Sequence, residues 1–140
     1  MTDKPATFKH EWLYEPEAGF IKFVQHGTID EPDAVEIIRL WQRDVPLDEA
    51  GFILIDTRNA SNLTVEARQL FSKGTPVEVY IAAYGSSVLY RVILTMLFKA
   101  LTVLLPHFVG DMFSDEVPAR EWLTTKRHAY LARKARGQAR

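Results

Sequence analysis

Hydrophobic and polar positions change period several times along this chain, and each change predicts an element. Phe8–Tyr14 interleaves aromatic and polar residues, and Phe20-Ile21-Lys22-Phe23-Val24 alternates. Glu15-Pro16-Glu17-Ala18-Gly19 between them carries turn chemistry, so the pair predicts a hairpin. The period then lengthens to that of a helix, with Ala34, Ile37, Ile38, Trp41 and Val45 on one face. Asp30 stands where a cap accepts from the free N–H groups, and Pro32 falls in the first turn, where its missing N–H costs nothing. Beyond Pro46 and Gly51, Phe52-Ile53-Leu54-Ile55 has no alternation, which suits a strand covered on both faces in a mostly parallel sheet.

A short helix is predicted from Thr64, with Ala67, Leu70 and Phe71 inward and Gly74 as its stop. Val77–Tyr84 predicts another strand, with Val79, Ile81 and Ala83 on one side. Ser87–Leu105 is nearly all apolar, yet Arg91, Thr95, Lys99 and Thr102 recur every three or four positions and draw one polar stripe down a helix. Two cations within such a segment are costly in lipid, which argues against a membrane span. Past Pro106 the pattern predicts a strand near Phe108–Phe113. A last helix is capped by Asp115, with Pro118 in its first turn and Ala119, Trp122 and Leu123 inward. The order β-β-α-β-α-β-α-β-α describes an α/β fold. Its core is a single mixed, mostly parallel sheet with an N-terminal hairpin and helices packed on it.

Composition narrows the function more than the fold. A chain of 140 residues is the size of one domain able to bury its own core. The absence of cysteine excludes disulfides, thiol catalysis and thiolate metal sites. Met1-Thr2-Asp3-Lys4-Pro5 lacks the basic-then-apolar run of a secretory signal, so the expected location is cytoplasmic. The net charge of −1 hides an asymmetry: all 18 acidic residues precede Thr124, and only eleven of the 17 Lys and Arg do, leaving that part at −7. Lys126, Arg127, Arg133, Lys134, Arg136 and Arg140 follow it with no acid. The expected division is therefore a domain over 1–123 and a basic, helical C-terminal tail over 124–140, which either attracts anionic partners or is a solvated helix lying against the acidic body. So acidic a body argues against a specific nucleic-acid partner.

Two stretches carry a resemblance. One is Leu54-Ile55-Asp56-Thr57-Arg58 with Leu63-Thr64-Val65-Glu66-Ala67-Arg68. The other is Met112-Phe113-Ser114-Asp115-Glu116 running into Ala119-Arg120-Glu121-Trp122-Leu123. Together they resemble STAS-like domains of the anti-sigma-factor-antagonist (SpoIIAA-like) group, in pattern over roughly Phe20 to Leu123. The resemblance implies a bacterial regulatory or protein-interaction module without catalysis. It also implies a switch in which a partner kinase phosphorylates a serine at a helix N-terminus, normally within an Asp-Ser-Ser-Gly-like turn. Asp56–Thr64 is the corresponding region here and lacks the Ser-Gly pair, which leaves Ser61 as the nearest position for phosphorylation. A second branch of similar architecture resembles CRAL-TRIO lipid-transfer domains, which hold an apolar ligand.

Ligands of such sheets bind beyond the carboxyl ends of parallel strands. Asp56, Arg58, Asn59, Ser61 and Thr64 are expected to follow one strand, and Tyr84, Gly85, Ser86 and Ser87 another. Both groups lead into helix N-termini, which favour a small anionic ligand, and Arg91 lies one turn further on. The competing reading is ordinary capping by Ser, Thr and Asn. His10, His26, His107 and His128 are not spaced as metal ligands, so neither a metal nor a cofactor is expected. A Ser86, His107 and Asp56 set can be written down for hydrolysis, but no Gly-x-Ser-x-Gly elbow presents the serine. Finally, apolar residues of the 87–105 helix wrap more of its circumference than packing on a sheet requires. The surplus predicts a homodimer. An acyl ligand, making the chain a carrier of a lipid or other apolar ligand, or peripheral contact with a membrane are the alternatives.

Overall fold

The computed structural model describes residues 8–46, 49–73, 78–105 and 107–137. Met1–Pro5, Gly74, Val77 and Pro106, used above as sequence signals, lie outside these residues. The elements are β1 (Glu11–Glu15), β2 (Phe20–Ile29), α1 (Glu31–Asp44), β3 (Gly51–Leu63) and α2 (Val65–Lys73). They continue with β4 (Val79–Tyr84), α3 (Val88–Leu104), β5 (Phe108–Phe113) and α4 (Glu116–Ala135). The strands form one sheet in the order β1-β2-β3-β4-β5. Among the described residues only β1 and β2 run antiparallel; every other pairing is parallel.

The pleat sorts the side chains into two cores. Ile21, Phe23, Ile53, Val79, Ala83 and Phe108 pack with α1, α2 and α3. Phe20, Phe52, Leu54, Tyr80, Ala82 and Tyr84 pack with Ala119, Leu123 and Tyr130 of α4. Because β3 and β4 are covered on both faces, their sequences are continuous apolar runs rather than alternating ones. The start of α1 is fixed by a reciprocal capping box: Asp33 N–H donates to Asp30 Oδ1 at 3.1 Å, and Asp30 N–H donates to Asp33 Oδ2 at 3.3 Å.

Two sequence readings need correction. First, β3 does not stop at Ile55; it runs on to Leu63, paired only with the extended end of β2 through His26↔Asn59, Gly27↔Ala60, Thr28↔Asn62 and Ile29↔Leu63. Register shifts between Val24 and His26 and between Gly27 and Thr28 mark bulges, where β3 carries an extra residue each time. At Thr124, where the sequence sets the division between domain and tail, α4 runs on without a break. The segment set apart as a tail continues α4 to Ala135, and Tyr130 is buried beneath it. Its cations do face the body: Arg133 pairs with Glu78 at 2.7 Å and Lys134 with Glu49 at 3.4 Å. Second, the 87–105 segment is not one long apolar helix: α3 spans Val88–Leu104 and carries the expected polar stripe, with Arg91, Thr95, Lys99 and Thr102 all exposed. Among the described residues no helix is long and apolar enough to cross a membrane.

Candidate functional site

The strand-end rim is assembled as the parallel register requires. Asp56 pairs with Tyr84 at the last rung of β3 and β4; beyond it β4 leaves the sheet while β3 stays in it, paired with β2. Thr57 Oγ1 donates to the Tyr84 carbonyl at 2.7 Å and lies 2.5 Å from Ser86 Oγ, which donates back to it. Arg58 forks onto Asp56, with Nη2 to Oδ2 at 2.6 Å and Nε to Oδ1 at 3.0 Å, and its guanidinium carbon stands 5.9 Å from the Tyr84 ring centre. Gly85 turns the chain with φ +81°, and a Cβ there would overlap the Arg58 stem, so glycine is required on both counts.

The other predicted residues are elsewhere. Asn59 and Ser61 belong to β3, not to a loop after it. Ser61 stands five residues past Asp56, or roughly 16 Å along a strand. It is exposed, and its hydroxyl lies 3.1 Å from Thr28 Oγ1. The helix N-terminus that the resemblance assigns to a phosphorylated serine is taken by Thr64, whose Oγ1 accepts from Ala67 N–H. Ser87 caps α3 in the same way, accepting from Tyr90 N–H at 3.2 Å. Arg91 lies on the exposed polar stripe of α3. His107 precedes β5, whose first rung pairs Phe108 with Val79, at the opposite end of the sheet from Ser86. The Ser86, His107 and Asp56 set is therefore not brought together.

The electrostatics of the rim are self-contained. Burial works to raise the Asp56 pKa, but the Arg58 guanidinium and N–H outweigh it and hold the carboxyl below its ordinary value. Burial pushes the Tyr84 phenol up, assisted by the Asp56 and Glu116 carboxylates, so it stays protonated and donates to Glu116 Oε1 at 3.2 Å. Glu116 is shared with Lys22 at 3.2 Å and Arg120 at 2.7 Å, and Arg120 also forks onto Glu15 at 3.0 and 3.1 Å. An anion at the rim must displace bonds that already neutralise Arg58 and cap α3. Lys22, Glu116 and Arg120 escaped the sequence reading, although a lysine amid the apolar Phe20–Val24 run and the i, i+4 spacing of Glu116 and Arg120 were available signals.

Two buried polar groups on the other face were also missed. Gln25 Nε2 donates to the carbonyls of Gly27 and Asn62 at 2.9 and 3.0 Å, and its Oε1 accepts from Tyr90 OH at 2.8 Å. His10 accepts the His26 N–H on Nδ1 at 3.0 Å, so the proton sits on Nε2, which donates to Asp33 Oδ2 at 3.1 Å. Lys9 reaches the same carboxylate at 3.2 Å. Burial holds the His10 pKa below 6.5 against the pull of Asp33. Between that depressed value and 6.5 the unfolded chain binds more protons than the folded one. Stability is therefore full above 6.5 and falls as pH drops below it. Thermal melts between pH 7.5 and 5 are expected to follow that slope, and His10→Gln, which keeps a donor for Asp33 and an acceptor for His26, should flatten it. A wild-type slope unchanged in the variant would exclude His10 as its source.

Among the described residues no group of three or more His, Asp or Glu side chains could hold a metal ion.

The order and register of the sheet, with α4 alone on one face, define a SpoIIAA-like fold. The solved structure of an uncharacterized protein of the DUF3478 family with a SpoIIAA-like fold, from Shewanella loihica PV-4, is similar to this chain at a TM-score of 0.57 and 15% identity. The similarity covers 88% of this chain and 98% of that one. No protein-family model matches the chain, and no curated protein matches it significantly.

Proposed function

We propose that this chain is a non-catalytic regulatory module of STAS-like type that acts by binding, as a homodimer formed through α3. The fold likeness supports the module, and the outer face of α3 carries the dimer. Val88, Leu89, Val92, Met96, Val103 and Leu104 are between 52% and 83% exposed there. On a helical wheel they form one broad stripe beside the polar one. Six such side chains present on the order of 600 Å² of apolar surface, the upper limit of what a monomer leaves bare. A standard interface buries about 800 Å² on each partner, with a polar rim around an apolar centre. The stripe supplies that centre, and Arg91, Thr95 and Lys99 supply rim.

Sedimentation at micromolar concentration is expected to show a species of twice 16.0 kDa. Met96→Glu, at an exposed position, should give a folded monomer, because it buries an unpaired charge only in the dimer. A wild-type chain that sediments solely at 16.0 kDa would exclude the proposal.

A further inference from the structure

Among the described residues, the layer formed by α1, α2 and α3 does not close over the middle of the sheet. Ile55 and Ile81, on the two central strands, face this layer yet remain only half-buried. Above them is a cavity of about 110 Å³, walled by Ile37 and Trp41 of α1 and by Leu97 and Phe98 of α3. Among the described residues, every one lining it is uncharged, and only Gln25 and Tyr90 bring polar side chains with more than an indole N–H to offer. We infer that this cavity is a binding site for a compact, neutral, apolar molecule carrying one hydrogen-bond donor, with phenol as its simplest representative.

Size sets the first part of that chemistry. An apolar cavity of roughly 150 Å³ takes up benzene, so one slightly smaller suits a single ring or a short chain. That volume suits a single ring better than a lipid tail. Charge sets the second part: a carboxylate would enter with no counter-charge among the lining residues, and burying it unpaired is prohibitive. Hydrogen-bond inventory sets the third. Both Gln25 N–H bonds are spent on the Gly27 and Asn62 carbonyls, and the Tyr90 O–H is spent on Gln25 Oε1. What remains on the pair is lone-pair capacity on Gln25 Oε1 and on the Tyr90 oxygen. The polar end of the cavity therefore accepts and does not donate, and it selects a ligand that brings its own proton.

The site is separate from the outer stripe of α3, so its test is independent of dimerisation. Protein labelled on the Ile and Leu methyls would be titrated with phenol, benzene and benzoate and followed by NMR. Phenol is expected to shift the methyls of Ile37, Ile55, Ile81 and Leu97 and to bind roughly tenfold more tightly than benzene, the worth of one hydrogen bond. Benzoate should leave them unmoved. Ile55→Phe fills the cavity from its floor and should abolish phenol binding. Leu97→Phe, at a half-buried position on α3, repeats the test from the wall should the first variant not fold. Absence of methyl shifts with phenol, equal binding of benzoate, or undiminished phenol binding in a folded filled variant would each overturn the inference.

Discussion

Tyr130→Ala is expected to destabilise the protein by about 3–5 kcal/mol, the usual cost of removing a buried aromatic ring. Tyr130 lies two turns beyond Leu123 on the same side of α4 and is 6% exposed. Its ring meets Phe52 edge-on at 5.9 Å between centres, and Phe52 in turn stacks on Tyr80 at 4.9 Å. The phenol oxygen accepts the Ala50 N–H at 3.2 Å, which ties the strand entry to the helix. Losing the ring opens a cavity under the second half of α4 and strips Phe52 of its cover. Tyr130→Phe keeps the ring and gives up only the bond to Ala50, whose partly exposed N–H can turn to water. It should cost less than about 1 kcal/mol. Urea denaturation of the two variants checks the difference. If Tyr130→Ala stays within about 0.5 kcal/mol of wild type, as surface substitutions do, α4 beyond Thr124 is not part of the core.

That prediction bears on what could be read from the chain alone. The positions of the elements were legible because each buries a distinct apolar face. The 3.6-residue period marked α1 and α4, and the unbroken run Phe52–Ile55 marked a strand covered on both sides. The meeting of Asp56 with Tyr84 follows from the parallel register, but only β4 ends there. The far half of β3 was not legible. Asp56-Thr57-Arg58-Asn59-Ala60-Ser61-Asn62 is made of residues typical of turns, and nothing apolar demands a strand there. Its ladder is with an equally polar stretch of β2, and only that partner makes it extended. At Thr124 the run of cations marks a change of charge, and the Ala119, Leu123 and Tyr130 spacing of four and seven residues carries the buried stripe across it. The buried polar groups were illegible for another reason. His10 is satisfied by a residue 23 positions away, and Gln25 needs Asn62 and Tyr90, 37 and 65 positions away, besides the nearby Gly27, so neighbouring residues alone do not reveal either.

Gln25→Leu is the second substitution expected to have a large effect, about 2–4 kcal/mol, although leucine is close in size and more apolar. Gln25 is 1% exposed at a bulge where β2 and β3 leave register, and its amide bridges two carbonyls that the bulge turns toward it. Leucine would leave those carbonyls without this donor and Tyr90 OH, itself 1% exposed, without an acceptor. A buried polar group deprived of its partner costs about 1–3 kcal/mol, more than the apolar gain returns. The Tyr90 phenol, pushed up to about 12 by burial, stays protonated throughout the ordinary pH range and cannot relieve the loss by ionising. Tyr90→Phe alone should cost about 1 kcal/mol, because Gln25 keeps both carbonyls. In the double variant the stranded hydroxyl is gone, so the combined cost should fall short of the sum of the singles by about 1 kcal/mol. Strict additivity in urea denaturation would mean that the two side chains are not coupled, and that the acceptor end assigned to the cavity between the sheet and α1–α3 does not exist as a unit.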